Sequence, residues 1–433
     1  MIERDDKQIE ETKVVALVDW NWIGHHPAYF VQFAIAIARN GCRVLPICPA
    51  PGDFIARVEK ESVGAVSPEV RARILQPLGL SHPQLSRLRP ARFRGVHDAF
   101  RRFGALGSDL RKWQRATGNH IDLVFFACIF DHVFLNFTKV RRFFRFAWSG
   151  LYLQSRSFRM PGSPMPFTGV VPRPERIFTS RLMRSIATLD EGTIGKLSSL
   201  TGDKPVVLFP DLTHTTVPSI DDDHSALARR ILKFSAGRPV VSLVGHLQWT
   251  KGLEDFVLVA NHESMRGMVF ILCGEVNWAG IPRERRSAIE SLLESCENIF
   301  THLCSISDEA INAVMSASDV IYAGYRSFPN SSNILTKCAV VEKPVLVSDG
   351  YLMAERVRRY RMGEIVPEGD HSAILETLTR MTIPGYGSKL AMSARWADCR
   401  NDHCVTRLES AFARILFCGN ESHEPVRPGA LNS

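Results

Sequence analysis

The sequence predicts an α/β protein made of two Rossmann-like, doubly wound domains, and two observations lead to this fold class. The chain has 433 residues, which is too long for one ordinary core and suits two domains of about 200 residues each. In both parts of the chain, short apolar runs that fit buried parallel strands alternate with amphipathic helical patterns. The hydrophobic content of 45% and the charged content of 23% are typical of a globular protein.

The first domain opens with a strand, a helix and a second strand. The apolar run Val14–Val18 predicts a buried strand, and Ala28–Arg39 predicts a helix that Asn40 and Gly41 close. Cys42–Cys48 predicts the next strand, which completes a βαβ unit of the kind that opens a Rossmann-like domain. Two more strands are predicted later in this domain, at Ile121–Ile129 and Phe146–Leu153.

Polar residues follow two of these strands. Gly24, His25 and His26 lie in the loop after the first strand, where they can hydrogen-bond a ligand; a polar loop with one packed histidine is an equally good interpretation. Adjacent histidines point in different directions, and no Cys or carboxylate spacing supports them, so no metal site is predicted. After a later strand, Asp131 and His132 are either part of the same cleft or a helix cap beside a surface histidine.

A basic and aromatic stretch lies at residues 87–115, and part of it predicts an amphipathic helix. Such a surface can lie on anionic lipid or hold a lipid-linked, phosphorylated ligand, and a solvated basic face is the alternative. The net charge of +8 favours anionic surfaces or substrates, but no nucleic-acid-binding motif is present, so nucleic acid is not predicted as a partner. The arginines are Arg87, Arg89, Arg92, Arg94, Arg101, Arg102, Arg111 and Arg115, and the apolar residues among them include Leu88, Phe93, Phe100, Phe103, Leu110 and Trp113.

The small, polar stretch 192–205 predicts the domain boundary, with Val206–Phe209 as the first strand of the second domain. Further buried strands are predicted at Val240–Val244, Asp319–Ala323 and Val345–Val347. The predicted organisation is a disordered lead over 1–12, a first domain over 13–200, a second domain over 201–385, crossing helices over 386–419 and a disordered tail over 420–433.

Two loops at strand ends of the second domain predict an anion-binding site. One loop begins at Gly245 and carries Lys251 at the start of the next helix, and the other carries Ser331, Ser332 and Asn333 before a helix. Free N–H groups and the dipole at a helix start favour an anion, and the carboxyl ends of parallel strands share one edge of the sheet. The two loops can therefore face a common crevice, although Ser331 and Ser332 are also ordinary helix caps when considered alone.

The order of these motifs resembles the nucleotide-sugar-binding domain of GT-B glycosyltransferases, in the retaining group that includes sucrose-synthase-like and lipopolysaccharide sugar transferases. The resemblance covers residues 205–385 and is weaker before them. It implies a GT-B fold, with two domains facing a cleft and a C-terminal helix that crosses back. The motifs that carry it are VGHLQWTKG at 244–252, FILCGEV at 270–276, the stretch 297–325 and EKPVLVSD at 342–349.

The resemblance implies metal-independent transfer of a sugar from a nucleotide-sugar donor to a glycan or lipid-linked acceptor, in surface polysaccharide or glycolipid assembly. It implies no bound cofactor, because the nucleotide sugar is a substrate. The expected donor residues are Gly245, His246, Lys251, Ser331, Ser332, Asn333 and Lys337, and the expected acceptor residues are Gly24, His25, His26 and His132.

Three positions depart from the family pattern. His246 stands where the family has a phosphate-binding arginine, and Pro329 and Lys337 stand where the family has a pair of glutamates. Lys337 becomes a second candidate cation for the diphosphate, and no catalytic residue is assigned. The absent glutamate pair leaves a non-catalytic GT-B binding or scaffold protein open as an alternative. A GT-B relative with different chemistry, such as a nucleotide-sugar epimerase, is the other alternative, although the catalytic carboxylates of such epimerases are not found in place.

The sequence also predicts a cellular location. Its ten cysteines are scattered without CxxC pairs, and most lie in apolar runs, which is typical of reduced thiols in a cytosol. No apolar run reaches the ~18 residues of a spanning helix, and the polar, acidic N-terminus does not resemble a secretory signal. We therefore expect a cytoplasmic protein, with the basic stretch 87–115 as the candidate contact with the inner face of a membrane.

Overall fold

The computed structural model describes residues 12–24, 26–62, 66–80, 91–129, 142–153, 156–160 and 174–417. In these residues the chain forms two parallel sheets, one of seven strands and one of six. Strands alternate with helices, and the strand order reverses once in each sheet, so the prediction of two doubly wound, Rossmann-like halves is confirmed. No helix within the described segments is long and apolar enough to cross a membrane.

The first sheet has the order β3-β2-β1-β4-β5-β6-β7. Its central strand β1 pairs on one side with β2 and on the other with β4, and all five of its residues are buried. This burial explains why a continuous apolar run, without alternation, predicted the strand correctly. The strands are β1 Val14–Val18, β2 Arg43–Cys48, β3 Leu78–Gly79, β4 Leu123–Phe126, β5 Trp148–Tyr152, β6 Ile186–Thr188 and β7 Val206–Leu208.

The helices of the first half follow the apolar spacing of the sequence. Phe30, Phe33, Ala34 and Ile37 of the first helix are all buried against the sheet, as their helical spacing predicted. The helices described in this half are α1 His26–Arg39, α2 Pro51–Ser62, α3 Pro68–Arg73, α4 Ala91–Thr117, α5 Arg156–Arg159 and α6 Ile194–Thr201.

The second sheet has the order β10-β9-β8-β11-β12-β13, and its central strands β8 and β11 are fully buried. Its strands are β8 Val240–Val244, β9 Val269–Cys273, β10 Ile299–His302, β11 Val320–Ala323, β12 Val345–Ser348 and β13 Gly363–Val366. The helices of this half are α7 Ala226–Ser235, α8 Leu253–Ala260, α9 Arg283–Ser295, α10 Asp308–Ser316, α11 Ile334–Val341, α12 Leu352–Tyr360 and α13 His371–Met381.

The strand that was expected to open the second domain belongs to the first sheet. Val206–Leu208 is a strand, as predicted, but it pairs in parallel with β6, and the second sheet begins only at Val240. The preceding small, polar stretch was interpreted as a boundary, but Ile194–Thr201 within it forms helix α6. The assignment of this strand is therefore corrected, and the chain leaves the first sheet after Leu208.

The end of the described chain returns to the first half, as the predicted crossing helix requires. Helices α14 Pro384–Ser393, α15 Trp396–Asp402 and α16 Val405–Phe417 follow one another, and α16 packs on α1. The ring of Phe412 in α16 lies 4.9 Å, centroid to centroid, from the ring of Phe125 in β4. Phe33 and Phe209 complete this aromatic cluster, which anchors the crossing helix in the core of the first half.

Candidate active site

Each sheet has one place where the strand order reverses, and ligands of open α/β sheets bind at such places, beyond the carboxyl ends of the strands. In the second sheet the reversal lies between β8 and β11. The loops that follow these two strands are residues 245–252 and 324–333, and together we call them the Lys251 cradle. In the first sheet the reversal lies between β1 and β4, and the loop after β1 begins at Asp19.

The two loops of the Lys251 cradle touch through glycines. Gly252 has a φ of +71°, and a Cβ atom built on it would lie 2.2 Å from the carbonyl oxygen of Gly324. Only a glycine fits this close approach of two backbones. Gly245 also has a positive φ, of +99°, but the space beside it is open within 4 Å. The cradle is thus narrow at Gly252 and open at Gly245.

Lys251 supplies the positive charge of the cradle. Its Nζ atom donates to the Tyr325 hydroxyl at 3.0 Å and to Ser332 Oγ at 3.2 Å, and it lies 4.1 Å from the centroid of the Tyr325 ring. In the described part of the chain no carboxylate pairs with this ammonium group, and all its hydrogen-bond partners are neutral. Lys251 is half-buried, its position is fixed by neutral hydroxyls, and its charge can therefore be neutralised by a bound anion.

The loop after β11 is braced from the opposite side by a buried carboxylate. Asp255 in α8 is almost fully buried and accepts hydrogen bonds from Nε and Nη2 of the Arg326 guanidinium. His371 at the start of α13 bonds the same carboxylate at 2.5 Å, and the Arg326 N–H donates to the Thr250 carbonyl at 2.9 Å. These bonds tie the loop after β11 to α8, to α13 and to the other cradle loop.

The hydroxyls before α11 do not act as simple helix caps. Asn333 occupies the N-cap position, and no side-chain capping bond is made there. Ser332 instead accepts from Lys251, and Ser331 donates to a carboxylate oxygen of Asp211 while accepting from Arg356 at 2.6 Å. The Leu335 N–H donates to the Ser332 carbonyl at 3.3 Å, whereas the N–H groups of Ile334 and Thr336 have no hydrogen-bond partner in the described part of the chain and keep their ability to bind an anion.

Arg356 is the largest buried cation beside the cradle, with 2% of its surface exposed. It donates to Asp211 Oδ2 at 3.1 Å, to the Leu189 carbonyl at 2.6 Å and to both oxygens of Glu191. The carboxylate of Asp211 also accepts from the Tyr29 hydroxyl at 2.7 Å. We call the network of five residues that includes Ser331 the Arg356 junction: Tyr29, Glu191, Asp211, Ser331 and Arg356.

The junction determines the charge state of its carboxylate. Burial would raise the pKa of Asp211, but the Arg356 charge and the hydrogen bonds from Ser331 and Tyr29 outweigh burial, and the pKa is lowered. The same surroundings raise the pKa of Tyr29, mainly through its burial and then through the Asp211 charge. Asp211 is therefore an ionised carboxylate that accepts hydrogen bonds from Tyr29, Ser331 and Arg356.

Two expected donor residues differ from Lys251. His246 is exposed at the mouth of the cradle, whereas Lys337 is almost fully buried in α11. The Lys337 ammonium donates to Asp308 at 2.7 Å and to Asn312 Oδ1 at 3.2 Å. Its charge is already matched by a carboxylate, so Lys251, and not Lys337, is the cation that the cradle offers.

The loop after β1 has a different chemistry. The Asp19 side chain is buried, bonds the His26 ring nitrogen Nδ1 at 2.9 Å and accepts from the Asn21 N–H at 2.8 Å. Gly24 turns the loop with a φ of +64°, and Ile23 beside it is 78% exposed. We call this segment the Asp19 loop. The other two expected acceptor residues, His25 and His132, lie outside the described residues.

The basic stretch is only partly a surface. Helix α4 forms as predicted, but Phe103 and Leu110 are buried in the core of the first half, so these two apolar side chains are not available to a membrane. Arg111 is exposed and donates to the Phe143 carbonyl at 2.7 Å, and the Phe143 ring is 50% exposed. Arg87 and Arg89 lie outside the described residues.

Sequence reasoning missed Arg356 and the role of Asp19. The run that contains Arg356 has several arginines, and charge alone does not single one out. Helical spacing singles out Arg356, because it shares one buried face of α12 with Met353, Val357 and Tyr360. An arginine on the apolar face of a helix is the signal that would have found the junction. Among the described residues, no group of three or more His, Cys, Asp or Glu side chains is arranged to hold a metal ion.

Comparison with protein-family models found no match, and no curated protein matched the sequence. Solved structures do match. A sucrose-phosphate synthase from Thermosynechococcus elongatus has a TM-score of 0.66 at 15% identity, covering 93% of this chain and 98% of that one. HepE from Anabaena, in complex with UDP and glucose, has a TM-score of 0.62 at 13% identity, covering 94% and 99%.

A third similar structure is WaaG, described as a glycosyltransferase involved in lipopolysaccharide biosynthesis. Its TM-score is 0.58 at 14% identity, and the match covers 94% of this chain and 100% of that one. In each case the match covers at least 93% of this chain. At these identities it shows the fold, and it agrees with the two parallel sheets described above.

Proposed function

We propose that this protein, which has the GT-B fold, is a glycosyltransferase that moves a sugar from a nucleotide-sugar donor to a glycan or lipid-linked acceptor. The observation that carries the proposal is Lys251, a positioned cation without a carboxylate partner among the described residues, at the reversal point of the second sheet. The cradle around it has the glycine turn, the hydroxyl and the helix start that a diphosphate needs.

The donor that fits best is a uridine diphosphate sugar. The Anabaena structure contains UDP and glucose, and the E. coli trehalose-6-phosphate protein is bound to UDP-2-fluoro glucose. In our proposal the diphosphate lies on Lys251 and the first N–H groups of α11, with Ser332 holding the ammonium in place. Gly245 and His246 line the open end of the cradle.

Sugar transfer builds up negative charge on the departing diphosphate. The bond between the anomeric carbon and the diphosphate oxygen breaks, the acceptor oxygen bonds to that carbon, and the acceptor proton passes to the leaving diphosphate. Lys251 stabilises that charge in the transition state, and the α11 N-terminus adds its dipole. These groups supply the role that a metal ion has in other transferases, so we propose that the reaction needs no metal. Retention of configuration remains part of the proposal, on the resemblance alone.

The Asp19 loop is the proposed acceptor side. Asp19 orients the His26 ring, and an oriented imidazole is suited to hydrogen-bonding a sugar hydroxyl. The exposed Ile23 and Phe143 side chains and the basic face near Arg111 suit an acceptor that is lipid-linked, at the cytoplasmic surface of a membrane. Assembly of a surface polysaccharide or a glycolipid is the process that uses such acceptors.

A second candidate function is a non-catalytic protein that binds a nucleotide sugar. One observation favours it: Lys337, at the position of a family glutamate, has its charge matched by Asp308 inside the protein. A protein of this kind keeps the Lys251 cradle and loses turnover. Binding and transfer therefore need separate measurements.

The test is a calorimetric and thermal-shift screen of the purified protein against UDP, GDP, ADP, dTDP and their glucose conjugates, without added metal. A ligand at 100 times its Kd stabilises the native state by about 2.7 kcal/mol, which is readily measured. Lys251→Ala is the test variant, and Lys233→Ala, at an exposed lysine of α7, is the matched control. Binding of one nucleotide class that only Lys251→Ala abolishes supports the proposal. Equal binding of every nucleotide by the wild type, Lys251→Ala and Lys233→Ala contradicts it. A separate assay of sugar transfer to acceptors distinguishes an enzyme from a protein that only binds the donor.

A further inference from the structure

We propose that Arg356 is a positioning residue that couples the docking of the two halves to donor binding, and this inference rests on the proposed function. Arg356 lies in α12, outside the two loops of the cradle, and its side chain is buried. It touches Ser331, and the next residue, Ser332, holds Lys251. In this way Arg356, without contacting the nucleotide-sugar donor, can determine the position of Lys251, which contacts it in our proposal.

The first step of the argument is the hydroxyl of Ser331. It donates its proton to Asp211 and accepts from Arg356 at 2.6 Å, so its donor capacity is used within the protein. Ser331 is therefore an anchor of the cradle loop, and not a ligand for phosphate. The anchor fixes the backbone immediately before Ser332 and the start of α11.

The second step is the origin of the partners. Ser331 and Arg356 belong to the second half, whereas Leu189, Glu191 and Tyr29 belong to the first. Asp211 stands three residues after the last strand of the first sheet and bonds groups from both halves. The cradle loop is thus held by an assembly that exists only while the halves are docked as in this structure.

The third step is the cost of taking the junction apart. Arg356 and Asp211, each about 2% exposed, bond groups from both halves, so separating the halves breaks these charge-assisted hydrogen bonds and returns both charges to water. A change in docking therefore releases Ser331 and, with it, the loop that holds Ser332. By linkage, a ligand that needs the ordered loop must in turn favour the docked arrangement.

A second arginine provides an internal control. Arg159 in α5 also bridges the halves, because it bonds Asp190 in the first half at 2.9 Å through Nε and Glu355 in the second at 2.8 Å. Within the residues that the structure describes, Arg159 makes no hydrogen bond to the cradle loop. If bridging ions only stabilise the molecule, Arg159 and Arg356 behave alike. If the junction positions the cradle, only Arg356 affects the donor.

The first measurement is the Kd of UDP by calorimetry. We expect Arg356→Gln and Ser331→Ala to weaken UDP binding roughly 5- to 150-fold, the range of ordinary coupling between sites. Arg159→Gln, the matched control, should change the Kd less than about twofold. Ser331→Ala keeps the experiment decisive if Arg356→Gln does not fold, because it leaves the 3.1 Å pair of Arg356 and Asp211 in place.

The second measurement is hydrogen exchange with and without saturating UDP. If the Arg356 junction only stabilises the fold, Ser331→Ala does not change which segments UDP protects. In the wild-type protein UDP should slow exchange in the cradle loop 324–333 and also in the first-half segment 186–212. In Ser331→Ala, UDP should protect the cradle loop while the protection of 186–212 is lost. Equal protection of both segments in Ser331→Ala overturns the coupling.

The outcomes separate the two proposals. UDP binding that depends on Lys251 but ignores Arg356 and Ser331 overturns the coupling and leaves the proposed function intact. Weakening by Arg159→Gln as large as that by Arg356→Gln also overturns it. Absence of any UDP binding that depends on Lys251 overturns both proposals.

Discussion

The two loops at the reversal points of the two sheets have the same place in the fold and opposite chemistry. The Lys251 cradle presents an ammonium group held by neutral hydroxyls, with a helix start beside it. The Asp19 loop presents a buried carboxylate that orients a histidine, with an exposed isoleucine next to it. One loop suits an anion, and the other suits a neutral, hydroxyl-bearing partner.

This difference shows how two sheets of the same topology can present two chemically different loops to one cleft. Both loops follow a central strand, so both sets of N–H groups and side chains lie at carboxyl edges. In our proposal, the donor diphosphate binds the loop with the ammonium group, and the acceptor binds the loop with the oriented histidine. Asp211 connects the two, because it bonds Tyr29 of α1, the helix that follows the Asp19 loop, and Ser331 of the cradle.

The largest expected effect comes from removing the cation of the cradle. We expect Lys251→Ala to lower the transfer rate by about 10²–10³-fold, since one charge-assisted contact in a site that excludes water contributes ~3–4 kcal/mol to the transition state. The measurement is the single-turnover rate constant with a UDP-sugar and excess enzyme, with Lys233→Ala as the control. An unchanged rate would remove Lys251 from the site and erase the contrast between the loops.

The residue behind Asp211 predicts a pH dependence of stability. His403 in the loop after α15 accepts the Asp211 N–H at 3.0 Å, and burial, with the Arg356 charge adding to it, lowers its pKa to about 4. The usual pKa of a histidine is 6.5. Between pH 6.5 and about pH 4, His403 is therefore protonated in the unfolded chain and neutral in the folded chain. The free energy of unfolding should therefore be highest above pH 6.5 and fall by about 3 kcal/mol towards pH 4.

The check is urea denaturation at pH 7.5, 5.5 and 4.5, with His403→Gln beside the wild type. The variant keeps an acceptor and cannot titrate, so the stability difference between the two proteins should shrink or reverse as the pH falls. Two curves that stay parallel over this range would show that His403 does not sense pH at the junction.

The glycines of the cradle give a smaller, graded effect. Gly252→Ala places a Cβ against the Gly324 carbonyl at 2.2 Å with a positive φ, and we expect it to lower the free energy of unfolding by about 3 kcal/mol. Gly245→Ala has a positive φ and open space, so about 1–2 kcal/mol is expected. Chemical denaturation of the two variants measures the difference, and equal losses would contradict the close approach of the two loops.

The smallest effect should come from the Asp19 loop. In our proposal, His26→Ala removes one hydrogen bond to an uncharged hydroxyl of the acceptor substrate. The KM for that substrate should therefore rise by roughly tenfold at most. The Kd for UDP should not change, because this loop does not contact the diphosphate in our proposal. His224→Ala, at an exposed histidine, is the control. A change in UDP affinity with an unchanged acceptor KM would reverse the assignment of the two loops.

The sequence was sufficient for the central strands, and for the pairing of distant loops. Val14–Val18 and Val240–Val244 were predicted with their observed bounds, because strands buried on both faces are continuous apolar runs. Lys251 and Ser332 are 81 positions apart, and the rule that parallel strands end at one edge brought them together.

The remaining features depend on contacts that local patterns do not contain. Val206–Leu208 was recognisable as a strand, but the sheet that it joins is decided by its pairing with β6. Lys337 was a candidate cation until its partner Asp308, 29 positions earlier, accounted for its charge. Arg356 depends on partners up to 167 positions away. Side-chain networks of this kind follow from the assembled fold and not from spacing.

The helix that returns to the first half has a consequence for how the protein is made. Phe412 of α16 fills the aromatic cluster that Phe33, Phe125 and Phe209 begin, so the nascent first half leaves the ribosome with its core unfinished. At ~5–20 residues per second, the residues between Phe209 and Phe412 take roughly 10–40 s to synthesise. During that interval the exposed phenylalanines are a target for chaperones, and translation of the second half precedes completion of the first.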